Sequence, residues 1–111
     1  MLFSWFDTRT VDAFVDGIVA DLARRHPPAA LPAAGPATGK AGDKLRKAHD
    51  QVLAQAAAFA RRERPNLYQK ARLANRVKWG LREAAFPAWF VDEFAYEIAA
   101  VVASANATRE I

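Results

Sequence analysis

The chain has 111 residues, a formal net charge of +4 and no cysteine. That length holds one compact domain. The missing cysteines exclude disulfides, thiolate nucleophiles and cysteine-ligated metal centres.

The hydrophobic share of 52% includes 26 alanines, so burial rests mainly on 32 larger apolar and aromatic side chains. Such a composition excludes collagen-like and fully disordered chains. No apolar run approaches the ~20 residues that span a bilayer, so no transmembrane segment is expected. The opening Met1-Leu2-Phe3-Ser4-Trp5-Phe6 is apolar, but it lacks a basic start and runs into Asp7, unlike a signal peptide. These features predict a cytoplasmic protein. Eleven arginines against five lysines, with abundant alanine and proline, fit a GC-rich bacterial coding sequence.

The first predicted helix covers about 10–25. Val11, Phe14, Val15, Ile18, Val19 and Leu22 recur at the spacing of one helix face. Asp12 and Asp16 come early on the other side and Arg24 and Arg25 late, which complements the helix dipole. His26-Pro27-Pro28 stops it. Residues 26–42 then hold four prolines and three glycines among alanines and read as a flexible linker. A linker of that length would let the first helix dock on a neighbouring molecule.

Asp43 is the expected N-cap of a second helix reaching about residue 64, with Leu45, Val52, Ala56, Phe59 and Ala60 on one face and His49 among them. Pro65 ends it. A third helix is predicted over about 66–84, capped by Asn66, with Leu67, Ala71, Ala74, Val77, Leu81 and Ala85 as its apolar side. Gly80 weakens it by about 1 kcal/mol relative to alanine. After Phe86-Pro87 a fourth helix runs over about 87–104, with Phe90, Val91, Phe94, Ile98, Val101 and Val102 in its stripe. The last residues should fray. No strand-like alternation competes, so the expectation is an all-α, four-helix bundle in one domain, with 26–42 linking the first helix to a core of the other three.

Few residues point to chemistry. The stretch from Gly35 to Ala41 has three residues between glycines where a phosphate-binding loop needs four, and alanine follows Lys40. His26 and His49 lack a second ligand at helical spacing, and His49 reads as a core residue bonded to a neighbour. Ser4 and Ser104 are the only serines. No catalytic, metal or cofactor site is expected, and a non-enzymatic role follows. Lys70 lies near the middle of the apolar side of the third helix and needs a partner there. Glu93 or Glu97 across the hairpin is the expected one, as a structural ion pair.

Two surfaces remain. Residues 40–82 carry twelve Lys and Arg against three Asp and Glu, a net of +9. Arg61, Arg62 and Arg64 cluster at the end of the second helix. Tyr68, Arg72, Asn75, Arg76, Trp79 and Arg82 follow along the outward side of the third. Guanidinium and aromatic groups on one helix suit phosphates and stacked bases, and helices two and three could form a helix-turn-helix reader of nucleic acid. The second surface is aromatic. Leu2, Phe3, Trp5 and Phe6 crowd the N-terminus, and Trp89 and Tyr96 lie off the main stripe of the fourth helix. Twelve aromatics exceed what one small core must hold, and exposed apolar patches mark association; the alternative for Met1–Phe6 is a lid folded back over the bundle. The leading expectation is therefore a helix-mediated interaction protein, a homodimer or the binder of a partner protein, with nucleic-acid binding as the alternative.

Overall fold

The computed structural model describes residues 5–32, 35 and 39–110. Four α-helices and no strand occur among them: α1 (Arg9–Arg25), α2 (Gly39–Glu63), α3 (Leu67–Glu83) and α4 (Ala88–Glu110). The protein is a small all-α four-helix bundle. Among the described residues no helix is long and apolar enough to cross a membrane.

Most helix packing is between α1 and α3, α3 and α4, and α2 and α4. Asp12 meets Arg72 and Asp16 meets Arg76, so α1 and α3 run parallel. His49 meets Glu97, and Ala57 and Arg61 share a groove with Val101 and Ala105, so α2 and α4 also run parallel. The α1–α2 side closes antiparallel, where Phe14 stacks on Phe59 at 4.2 Å and Arg25 donates to Gln51. The helices thus alternate in direction. α2 and α3, although consecutive, face each other across the diagonal and do not pack as the two helices of a helix-turn-helix do.

The expected stripes of α1, α2 and α4 form the core. Val15, Ala56, Phe59, Phe94 and Ile98 are essentially sealed from solvent. Phe86, in the turn before α4, and Phe90 and Phe94 of α4 stack in succession, at 4.9 and 5.2 Å. α1 is therefore a full member of the bundle, docked on its own chain. The apolar side of α3 differs from expectation. Leu73, Val77 and Leu81 are buried, whereas Leu67 is 75% exposed and Ala71 and Ala85 are on the surface. Leu73 offers more area to bury than the alanines that defined the expected stripe. Gly80 has a packing reason: a Cβ there would sit 3.2 Å from Val19 Cγ2 of α1. Its absence lets α1 and α3 approach closely.

Two boundaries also differ. α2 begins at Gly39, whose φ of 69° makes the entry turn, and not at Asp43, which instead pairs with Arg46 one turn on. Ala48 and Leu45 draw the first turns of α2 onto the core, which overrides the weak propensity of Gly42. α4 continues past the expected end near 104 to Glu110, with Ala105 still packed against the core. Between α1 and α2, a 3₁₀ turn (Pro28–Ala30) leads to Leu31, which packs on the core, and Pro32, whose carbonyl accepts from Trp89 Nε1 at 2.7 Å.

α3 ends in a Schellman turn. Phe86 N–H donates to Leu81 O and Ala85 N–H to Arg82 O, both at 3.0 Å, with Ala85 at φ 71°. Glycine is the residue that adopts this conformation without a Cβ penalty. Ala85→Gly is therefore expected to stabilise the protein by about 1 kcal/mol. Denaturant unfolding should show a higher midpoint with an unchanged slope, and an unchanged or lower midpoint contradicts the turn geometry.

Candidate association surface

The start of α3 is built from amides used twice. Asn66 Oδ1 accepts from Gln69 N–H at 2.8 Å, and Gln69 Oε1 accepts from Asn66 N–H at 2.9 Å. This reciprocal capping box satisfies two helix-end donors. The amide nitrogens face the other way. Asn66 Nδ2 donates to the Trp5 carbonyl and Gln69 Nε2 to the Asp7 carbonyl, each at 2.9 Å. The cap that starts α3 also fastens residues 5–7 onto it. Arg9 donates to both oxygens of Asp7 and, mainly through these side-chain bonds, lowers its carboxyl to about 2.

This docking assembles an apolar patch. Phe6 meets the Tyr68 ring edge-on at 5.1 Å. Trp5, Phe6, Leu67 and Tyr68 are all exposed, by 43–75%. Four large apolar groups thus gather at the end of the bundle where α3 begins. Of the expected aromatic surface, Leu2 and Phe3 lie outside the described residues. Tyr96 is 76% exposed, on α4. Trp89 is half-buried against the core and bonded to Pro32, so it belongs to the packing of the molecule. Leu67 is absent from the expected association surface because its helical spacing places it on the apolar side of α3. Its position as the first helical residue was the available signal, since no earlier turn of α3 covers it.

The basic side of α3 is partly spent within the chain. Arg72 donates to both oxygens of Asp12 at 3.0 and 3.2 Å. Arg76 donates to both oxygens of Asp16 at 3.0 and 2.8 Å and lies 3.8 Å from Asp12. These two arginines were expected to face outward with Tyr68, Asn75, Trp79 and Arg82. Instead they point along the seam with α1, whose Asp12 and Asp16 recur at the same four-residue spacing. Asn75, Trp79 and Arg82 are surface residues, with the Arg82 guanidinium 5.6 Å from the Trp79 ring. Arg62 pairs with Glu63 and lies over Phe59, while Arg61 and Arg64 are exposed.

The expected ion pair of Lys70 with Glu93 or Glu97 is not formed. Glu97 instead lies beside His49, its carboxylate oxygen 3.0 Å from Nε2, across the α2–α4 contact. His49 is half-buried and not a core residue; its ring is edge-on to Phe94 at 4.9 Å. The hairpin explains the failure. Turning at residues 84–87, it brings Lys70 roughly one helical turn beyond Glu97 and two beyond Glu93. Both glutamates border the cleft facing α2 and not α3.

The chain matches no protein-family model, no curated protein and no solved structure.

The α1–α3 pairs make stability depend on acid. The hydrogen bonds from Arg72, more than its charge or that of Arg76, hold the Asp12 carboxyl below the usual aspartate range. A carboxyl depressed in the folded state contributes stability above its unfolded value, near 3.9, and loses it as pH falls through the folded value. Arg72→Gln is expected to cost about 0.5–1 kcal/mol at pH 7 and less at about pH 3, below the unfolded aspartate value. Paired denaturant melts at the two pH values measure this. A gap undiminished in acid refutes the ion pair as its source.

Proposed function

We propose that the protein works by association through helix faces and that its partner is a second copy of itself. The patch of Trp5, Phe6, Leu67 and Tyr68 carries this reading. Exposed apolar groups gathered at one place mark contact surfaces, and aromatic side chains supply the anchors of interfaces. The patch is also preorganised. Two side-chain amides already hold residues 5–7, so less ordering is left to the binding step. A second copy suits it because the patch is mostly uncharged, and the flanking Asp7 and Arg9 pair with each other. Two such patches can meet about a twofold axis without facing like charges.

Nucleic-acid binding is the weaker reading, because Arg72 and Arg76 already have carboxylate partners. It rests on Arg64 and Arg82, with Tyr68, Asn75 and Trp79 as stacking or polar groups.

Sedimentation velocity of the full chain over about 10–100 μM separates the two. The expected result is a dimer that Phe6→Asp/Tyr68→Asp converts to a monomer of unchanged helicity. A wild-type monomer throughout, or a dimer indifferent to the double substitution, overturns the proposal. A monomer that binds a labelled oligonucleotide with steep salt dependence, lost in Arg82→Glu, puts the nucleic-acid reading in its place.

A further inference from the structure

Residues 5–7 and the helices they touch are held by separate sets of bonds. α1 has its own start: Asp7 Oδ1 accepts from Arg9 N–H at 3.0 Å, and the Thr8 carbonyl accepts from Asp12 N–H at 2.7 Å. α3 has its own start in the acceptor oxygens of Asn66 and Gln69. Neither start uses the bonds that run between the two, from Asn66 Nδ2 to the Trp5 carbonyl and from Gln69 Nε2 to the Asp7 carbonyl. The core is separate too. Its first contribution from α1 is Val11, and neither Trp5 nor Phe6 belongs to it or packs against it. Trp5 and Phe6 are 45% and 54% exposed.

Segments with few buried apolar contacts and exposed hydrogen bonds open at a free energy well below that of global unfolding. Lifting residues 5–7 breaks the two amide bonds and the Phe6–Tyr68 ring contact. It leaves both helix starts and the core as they are. Trp5 and Phe6 are two of the four groups of the apolar patch, so the patch is complete only while this segment is down.

We infer that residues 5–7 form a strap that opens and closes independently of the bundle, and that the donor nitrogens of Asn66 and Gln69 set how often the patch is complete and hence how tightly two copies associate. The inference rests on the reading of the patch as the self-association surface. Its consequence is quantitative. Only closed molecules present the full patch, and a dimer needs two of them, so its Kd varies with the inverse square of the closed fraction. By linkage, association also draws the strap closed.

The test is Asn66→Asp/Gln69→Glu in the full chain. Carboxylates keep both acceptors of the capping box and suit the positive end of the helix dipole, but they donate nothing to the strap. Ring cross-peaks between Phe6 and Tyr68 in NMR spectra of dilute protein report the closed fraction. Denaturant unfolding reports the bundle, and sedimentation velocity reports the dimer. Weaker cross-peaks, an unfolding midpoint no lower than that of the wild type, and a weaker dimer are expected. A closed fraction cut to about one third raises Kd about ninefold. Asn66→Ser keeps a neutral acceptor at the cap but is too short to reach the Trp5 carbonyl, and it should move the cross-peaks and Kd in the same direction. Unchanged cross-peaks in the double variant, a lowered midpoint, a dimer indifferent to the released strap, or a Ser variant identical to the wild type overturns the inference. A wild-type chain that never dimerises overturns the reading of the patch instead, and the cross-peaks and midpoint still decide whether the strap opens on its own.

Discussion

Asp12 and Asp16 meet Arg72 and Arg76 along a seam between helices that lie about sixty positions apart in the chain. Matching four-residue spacings on two parallel helices put each carboxylate beside one guanidinium. Beneath these pairs, Gly80 leaves room for Val19, so the backbones come close enough for the pairs to form. The seam holds α1 on the bundle and removes two cations from the outer face of α3. It also points Tyr68 and Trp79 away from α1, into solvent. The charge of the basic middle segment is thus partly answered inside the molecule, by the acids of α1.

The second organising feature is the chemistry of the primary amide. A carboxylate at 66 or 69 would cap α3 equally well, because capping requires only an acceptor. Asn66 and Gln69 add donors, and both donors go to carbonyls of residues 5–7. One pair of side chains starts the helix and places the aromatic segment on it. The exposed patch is a consequence of that docking together with the position of Leu67 at the first turn. Its exposure is sustained by hydrogen bonds that do not depend on apolar contact.

The patch and the cleft between α2 and α4 occupy opposite ends of the bundle. The patch sits where α1 and α3 begin, and the cleft sits where α2 and α4 begin. The parallel pairing of α1 with α3 and of α2 with α4 produces this separation, since each pair brings two helix starts together.

Much of the bundle is legible in the residues themselves. Four helices, the buried faces of α1, α2 and α4, the Asn66 cap and the proline stops all follow from periodicity and local backbone chemistry. These are properties of a dozen neighbouring residues. The buried face of α3 is less legible, because alanines at 71 and 74 mimic an apolar stripe while Leu73 buries more area. Charge partners are not legible at all. Arg72 and Arg76 look outward, and Lys70 looks paired with Glu97, until the direction and neighbours of each helix are known. Tertiary structure decided that Glu97 lies beside His49, that Arg72 and Arg76 answer α1, and that a cleft exists between α2 and α4. The physical reason is range. A helix forms from contacts three and four residues away, whereas an ion pair or a cavity wall depends on which helix lies alongside and in which direction it runs.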